Sequence, residues 1–265
     1  MANGLNPDDS SVTPVAGECR HAAKAGTPDA GSDGFPAEHT GRRVKCAEPH
    51  EMETVYVGVY STNWTEETGD KEMGEICASR ADDYLGGRHQ AHRIGLNSYV
   101  QAADEMSGKA RWFACDVAEI GSAAFPALVT RKSSLRGALA TPGPLAITCG
   151  DKVAKDYVYR GDCSAPHDLE FAGLFSVASD YHPESRVELD KVVSAGCQKS
   201  VTDFLGWDQR TFEENRSLDV TSWGPSVRTV GRGRATYRCF VTTLDNKKLT
   251  ASVKGLGDKP VPLAG

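Results

Sequence analysis

Two copies of a short motif carry the residue types that could do chemistry: a cysteine, a proline, a histidine and a glutamate. The first copy is Cys46-Ala47-Glu48-Pro49-His50 followed by Glu53, and the second is Cys163-Ser164-Ala165-Pro166-His167 followed by Glu170. A histidine three residues before a glutamate could form an acid/base pair or bind a metal ion. The cysteine four residues before each histidine could be a nucleophile with the imidazole as its base.

The sequence favours a structural role for both motifs. The residue before a proline prefers extended geometry, so Pro49-His50 and Pro166-His167 are expected to form turns at strand edges, with each imidazole bonded to the backbone. Residues three apart on a strand point to opposite faces, so neither histidine is expected to meet its glutamate, Glu53 or Glu170. The His-Glu-x-x-His signature of zinc proteases is absent. We therefore expect no catalytic residue, no metal site and no cofactor.

The sequence around the motifs is duplicated as well. Residues 77–86 match residues 197–206, with cysteine, aspartate, an aromatic residue, leucine and glycine at the same spacing. Each copy also closes on a serine, an apolar residue, a basic residue and a glycine, at 134–137 and at 252–255. One difference is that two more residues separate Glu53 from Gly58 than separate Glu170 from Gly173. The duplication predicts a linker over 1–13, a first repeat over 14–140 and a second over 141–265.

Local patterns predict the elements of each repeat. Apolar residues at helical spacing predict helices over 70–86 and 184–206, each ended by a glycine. Aromatic and β-branched residues predict strands over 112–117 and 236–242. The expected fold class is α+β, with two tandem homologous repeats that are each a disulfide-stapled small sheet with one main helix.

The totals exclude several classes of protein. A net charge of −6 over 265 residues argues against nucleic acid as a partner. No apolar run approaches the roughly 20 residues that cross a bilayer. Met1-Ala2 leads directly into polar sequence, so we expect that a preceding segment was trimmed away. Eight cysteines, four in each repeat and with no Cys-x-x-Cys pair, favour disulfides over zinc and so an oxidising compartment.

The order of the motifs resembles the septum-formation domain family, found in envelope proteins of high-GC Gram-positive bacteria (actinobacteria). The resemblance is carried by Gly17-Glu18-Cys19, residues 44–53 and Trp223-Gly224-Pro225-Ser226, and it covers about residues 14–255 in two tandem copies. The first copy has Tyr99-Val100-Gln101-Ala102-Ala103 where the second has the Trp-Gly-Pro-Ser segment. The resemblance implies an extracytoplasmic domain, usually tethered by a transmembrane segment and associated with the division septum. It implies no catalytic residues.

The cysteines are expected to pair within each repeat, which leaves three arrangements in each half. Helix and final strand must pack together, so their cysteines come close, and the leading cysteine then takes the motif cysteine. A thiol held in a disulfide is no longer a nucleophile. The expected pairs are Cys19 with Cys46, Cys77 with Cys115, Cys149 with Cys163, and Cys197 with Cys239.

A basic and aromatic edge in the second repeat is the first place to look for a binding surface. Aromatic and arginine side chains dominate interface energetics, although scattered charge is more often a solvated face. The expected function is a non-catalytic binding or scaffold module of the cell envelope. Its partner would be an envelope or divisome protein or a peptidoglycan component, with the membrane tether removed from this form of the chain. The alternative is an exported cell-wall hydrolase or metal-dependent enzyme using the Pro-His-x-x-Glu motifs. The candidate binding residues are Trp223, Arg228, Arg232, Arg234 and Tyr237, beside Arg238.

Overall fold

The chain folds into two compact units. The computed structural model describes residues 13–22, 35–36, 39, 41–101, 111–123, 127–154, 156–178, 181–230, 235–245 and 247–264. All but the last residue of the predicted linker over 1–13 lies outside these. The first unit comprises Met1–His89, Ile94–Gly121 and Phe125–Leu145; the second comprises Gln90–Arg93, Ser122–Ala124 and Ala146–Gly265.

The first unit is a five-stranded antiparallel sheet with one long helix. Its strand order is β2-β1-β3-β5-β4. The helix α1 covers Glu66–Leu85, and a 3₁₀ turn covers His89–Ala91. The strands are β1 Cys19–Arg20, β2 Arg43–Val44, β3 Met52–Val59, β4 Ile94–Val100 and β5 Trp112–Glu119.

The second unit repeats this architecture. Its strand order is β7-β6-β8-β10-β9, so each strand takes the place of its counterpart in the first sheet. The long helix α2 covers Arg186–Leu205, and two short helices follow, α3 Gln209–Glu214 and α4 Val227–Val230. The expected fold class is confirmed. The strands are β6 Cys149–Val153, β7 Asp156–Arg160, β8 Leu169–Ser176, β9 Leu218–Trp223 and β10 Thr236–Thr243.

Both long helices are bounded by residues suited to their ends. Thr65 caps α1 and forms a reciprocal capping box with Thr68, which is why α1 begins at Glu66 rather than at residue 70. Ser185 caps α2 by accepting a hydrogen bond from the Glu188 N–H. Each helix ends at a glycine in the left-handed region, Gly86 with φ 77° and its counterpart in α2 with φ 72°. Both predicted helices are therefore confirmed.

Each helix buries an apolar stripe against one face of its sheet. In the first unit Cys77 and Leu85 of α1 meet Phe113 and Cys115 of β5 in one core. In the second unit α2 packs against β8, β9 and β10 in the same way. At about 25 cal/mol per Å² of apolar surface, this burial is the main force that holds helix to sheet.

A β-bulge lies at the same position of the third strand in both sheets. The register shifts between Thr54 and Tyr56 in β3, and the matching shift in β8 lies between Phe171 and Gly173. Tyr56 pairs with the β5 cysteine and Gly173 pairs with the β10 cysteine. The expectation of two extra residues in the first copy is therefore wrong, because Gly58 is not the counterpart of Gly173.

Candidate functional site

The four disulfides join the cysteines that the sequence pairs. They are Cys19–Cys46, Cys77–Cys115, Cys149–Cys163 and Cys197–Cys239, with Cα–Cα distances of 5.1 to 5.6 Å. All eight cysteines lie in described residues and none is free. The thiol nucleophile that the sequence offered as an alternative is therefore consumed in a bridge.

The first Pro-His motif forms a turn at the edge of the sheet. His50 makes an isolated antiparallel bridge with Arg131, in which its N–H donates at 2.9 Å and its carbonyl accepts at 2.8 Å. Its Nδ1–H donates to the Glu48 carbonyl at 2.8 Å. The turn and the backbone-bonded imidazole are both as expected from the sequence.

The other ring nitrogen of His50 meets the glutamate three residues on. His50 Nε2 lies 3.3 Å from Glu53 Oε1, and both residues are fully buried. The expectation that the pair points to opposite faces is wrong. His50 precedes β3, which begins at Met52, so the alternation of a strand does not apply across the turn.

Glu53 links the motif to the closing segment of the repeat. Its carboxylate accepts hydrogen bonds from the Leu135 N–H at 2.6 Å, the Ser134 hydroxyl at 2.8 Å and the Tyr84 hydroxyl at 2.9 Å. The two segments that recur in both halves of the chain are thus in direct contact. This carboxylate fastens a loop, and its lone pairs face protein donors.

The second motif is built in the same way, but its histidine makes fewer hydrogen bonds within the described residues. His167 forms a backbone bridge with Leu249, and its Nδ1–H donates to the Ala165 carbonyl at 2.9 Å. Glu170 accepts hydrogen bonds from the Ser252 hydroxyl and, at 2.9 Å, from the Val253 N–H.

His167 Nε2 has no hydrogen-bond partner in the described part of the chain. It lies 3.9 Å from Glu170 Oε2, beyond hydrogen-bond reach. Burial opposes the charged ring, but the Glu170 carboxylate and the Ala165 carbonyl outweigh it and raise the pKa of His167 above its ordinary value. His167 and Glu170 therefore interact through their charges rather than through a hydrogen bond.

Two groups of side chains are compact enough to resemble a metal site. Cys19, His50 and Glu53 form one, and Cys149, Cys163 and His167 form the other, with ligand atoms within 4.8 Å of one another in each. Zinc binds deprotonated thiolates, and all three sulfurs here belong to disulfides. Without them, the first group offers a histidine and a glutamate, and the second a histidine.

The structure separates two of the candidate binding residues. Trp223 is half-buried and packs against Phe240 and Tyr157, with ring centroids 5.0 Å apart in both pairs. Tyr237 is buried in the core beneath α2, where its hydroxyl donates to the Pro225 carbonyl at 2.6 Å. The two lie on opposite faces of the sheet, because Trp223 pairs with Arg238, the residue after Tyr237. The expectation that Tyr237 lines a binding surface is wrong.

The arginines of that edge are placed as follows. Arg228 lies on α4, but its side chain lies outside the described part of the chain, as do Arg232 and Arg234 entirely. Arg238 donates to the backbone carbonyls of Gln90 at 2.8 Å and His92 at 3.0 Å. Arg238 therefore holds a segment within the second unit.

A buried ion pair in the first sheet was missed by the sequence reasoning. Arg20 and Asp116 are 2% and 0% exposed and are in contact. The Thr54 hydroxyl also donates to Asp116, at 2.7 Å. Burial opposes ionisation, but Arg20 with His39 and Thr54 keeps the pKa of Asp116 below its usual value. One signal was available: Asp116 follows the strand cysteine where the second copy has Phe240.

Arginines also lie over tyrosine rings in the first unit. Arg80 lies 4.9 Å from the ring centre of Tyr56 and Arg111 lies 5.1 Å from that of Tyr60. Such cation–π contacts contribute about 0.5–1 kcal/mol at exposed sites. Basic and aromatic residues thus also lie together in the first repeat.

Comparison with known proteins supplies a family. No curated protein and no solved structure matches the chain. None of the helices in the described ranges has both the length and the apolar run needed to cross a bilayer. The pattern of the family described as Septum formation matches residues 16–239, most of a chain of 265 residues. The match covers the sheet of the first unit and ends within β10, the last strand of the second. The chain therefore belongs to the septum-formation family.

Proposed function

We propose that the protein is a non-catalytic binding or scaffold module of the cell envelope that acts in septum formation, a step of cell division. The four disulfides and the family support a location outside the cytoplasm. The resemblance to tethered envelope proteins supports attachment to the membrane. The partner is an envelope or divisome protein or a peptidoglycan component.

The observation that carries this proposal is the enclosure of the repeated motifs. His50, Glu53 and His167 are 0% exposed and Glu170 is 5% exposed. Both carboxylates accept hydrogen bonds from the closing segment of their own repeat. A general acid or base must come within hydrogen-bond reach of its substrate. Here the carboxylates face protein donors, and both imidazoles donate to backbone carbonyls. The carboxylates of both motifs therefore hold the closing segments in place through hydrogen bonds.

We assign the contact with the partner to Trp223. It is half-buried at the end of the edge strand β9, and the segment after it includes the exposed Gly224 and Ser226. Tryptophan supplies large contact area at low cost in side-chain entropy and is enriched among interface hot spots. The rings of Phe240 and Tyr157 pack against the indole ring and hold it in place.

The test compares two tryptophan variants in dividing cells. Trp223→Ala is expected to lose crosslinking to its partner at the septum and to impair septation, while retaining four disulfides and cooperative unfolding. Trp64→Ala, in the first unit, is the matched control and is expected to keep both. Sedimentation with purified sacculi separates a peptidoglycan partner from a protein partner. Equal binding by the wild type and Trp223→Ala would contradict this assignment.

The contact between His50 Nε2 and Glu53 Oε1, at 3.3 Å, favours one alternative. An exported hydrolase or metal-dependent enzyme would need this pair for proton transfer or metal binding. A double variant, His50→Gln with His167→Gln, is expected to lose stability and to change no cell-wall turnover. A folded double variant that abolished release of soluble wall fragments would replace the binding proposal by the enzyme.

A further inference from the structure

One disulfide of the second unit lies against a buried histidine. The sulfurs of Cys149 and Cys163 and a ring nitrogen of His167 all lie within 4.8 Å of one another. Cys149 is fully buried, whereas Cys163 is half-buried in the loop between β7 and β8. The bridge therefore joins a fully buried cysteine to a partly exposed one, and both sulfurs lie near the imidazole.

We propose that Cys149–Cys163 is a thiol–disulfide exchange site that accepts the thiolate of an extracytoplasmic dithiol oxidoreductase. The incoming thiolate forms a bond to Cys163 Sγ as the bond between the two cysteine sulfurs breaks, and the electron pair leaves on Cys149 Sγ. The second thiolate of the oxidoreductase then attacks its own mixed-disulfide sulfur and releases Cys163. Two electrons pass to this bridge, and the partner's dithiol becomes a disulfide.

Access decides which sulfur is attacked. Exchange requires the thiolate to approach a disulfide sulfur directly, and its rate depends on which sulfur is reached. The approach to Cys149 is closed, because that residue is 0% exposed, whereas Cys163 is only half-buried. The mixed disulfide is therefore expected on Cys163 and the free thiol on Cys149.

His167 favours the departure of Cys149. A disulfide opens faster when the leaving thiol has a low pKa, and a neighbouring cationic imidazole lowers that pKa. His167 Nε2 is buried without a hydrogen-bond partner in the described residues, so the ring is not tied through that atom. The charged form of the ring is itself favoured, since Glu170 and Ala165 raise the pKa of His167. Arg160 opposes this charge from the neighbouring strand.

The first unit provides an internal comparison. Cys46 is half-buried like Cys163, but the Cys19 sulfur has the Glu53 carboxylate as well as His50 within 4.8 Å. An anion close to a leaving thiolate raises its pKa, and His50 Nε2 is already in contact with that same carboxylate at 3.3 Å. Cys19–Cys46 is therefore expected to exchange slowly.

The two bridges between helix and sheet lack access altogether. Their four cysteines are 0% exposed and lie in the cores beneath α1 and α2. A thiolate reaches them only after the helix leaves the sheet. Of the four bridges, Cys149–Cys163 is thus expected to open fastest in the folded protein.

The experiment treats the folded protein with reduced glutathione, quenches with an alkylating reagent and maps the peptides. Glutathione is expected on Cys163 with alkylated Cys149, at a rate about tenfold above that at Cys19–Cys46. Equal reaction at both bridges, or glutathione mainly on Cys149, would overturn the proposal. This readout needs no variant and stands even where a substitution prevents folding.

Two histidine variants then test the role of the ring. His167→Asn is expected to slow exchange at Cys149–Cys163 to the rate of Cys19–Cys46. His50→Asn, the matched control, is expected to leave Cys149–Cys163 unchanged. If His167→Asn folds and exchanges at the wild-type rate, the imidazole does not promote the departure of Cys149.

Discussion

The Tyr84 hydroxyl donates a hydrogen bond of 2.9 Å to Glu53 Oε2, and Phe204, at the matching position of the second long helix, has no hydroxyl to offer Glu170. The first helix is thus bonded to its Pro-His-x-x-Glu motif through a hydroxyl that the second helix lacks at the matching position. The two repeats share a backbone plan but fasten it with different numbers of polar contacts.

Replacing Tyr84 by phenylalanine is expected to lower the free energy of unfolding by about 2 kcal/mol, because one hydrogen bond to a buried carboxylate is lost. Glu53→Ala is expected to cost about 3 kcal/mol, since the donors of Ser134 and Leu135 are then left unsatisfied. Urea unfolding under non-reducing conditions measures both. Equal midpoints for Tyr84→Phe and the wild type would show that the hydroxyl contributes nothing to stability.

The buried pair of Arg20 and Asp116 is expected to behave differently under single and double substitution. Asp116→Ala leaves a buried guanidinium without its carboxylate and should cost about 3–5 kcal/mol. The double variant Arg20→Met with Asp116→Leu should cost much less, because neither member of the pair is then left as a buried charge without its partner. Thermal unfolding of the four proteins of the cycle gives the coupling energy. Additive effects would mean that the pair does not act as a unit.

His167 is expected to make the stability of the second unit depend on pH. Its folded pKa is raised above the ordinary value of 6.5, so the stability from its charge is fully present below about pH 6.5. This contribution is lost as the pH rises through the raised pKa. The facing groups are Glu170, which favours the charge, and Arg160, which opposes it. Unfolding midpoints measured from pH 5.5 to 8.5 should fall for the wild type and stay flatter for His167→Asn.

Removing the core bridge of the second unit tests how far the disulfides hold the fold. Cys197 and Cys239 are 42 residues apart in the chain, and closing a loop of that length stabilises by about 4 kcal/mol through the unfolded state. The variant Cys197→Ala with Cys239→Ala should therefore lose about that much. The variant Cys149→Ala with Cys163→Ala, which opens a 14-residue separation, should lose about 3 kcal/mol. The reverse order would contradict the chain-entropy explanation.

The long helices could be predicted from the local spacing of apolar residues. The disulfides could be predicted from that spacing together with the packing of each helix on its final strand. The stripe that includes Cys77 and Leu85 fixes which face of α1 is buried, and Gly86 fixes where the helix ends. Packing that face on the sheet then brings each helix cysteine to its strand partner.

What could not be predicted depends on where a strand begins and on how separate segments pair. His50 meets Glu53 because a turn precedes the strand, and strand alternation alone gave the wrong answer. Trp223 and Tyr237 look like neighbours in a basic, aromatic stretch, but the pairing of β9 with β10 sends them to opposite faces. The partner of Asp116 lies 96 residues away along the chain, beyond any local pattern.

The four disulfides have a further consequence for how the protein matures. Counted from the N-terminus, the first cysteine is bonded to the second, the third to the fourth, and so on through Cys197–Cys239. During export from the N-terminus, the first, third, fifth and seventh cysteines are therefore each followed by their own partner before any later cysteine emerges. We expect an oxidase that acts in order of emergence to produce the native set without an isomerase. Refolding of the full-length reduced chain, in which all eight thiols are present at once, should instead be accelerated by one.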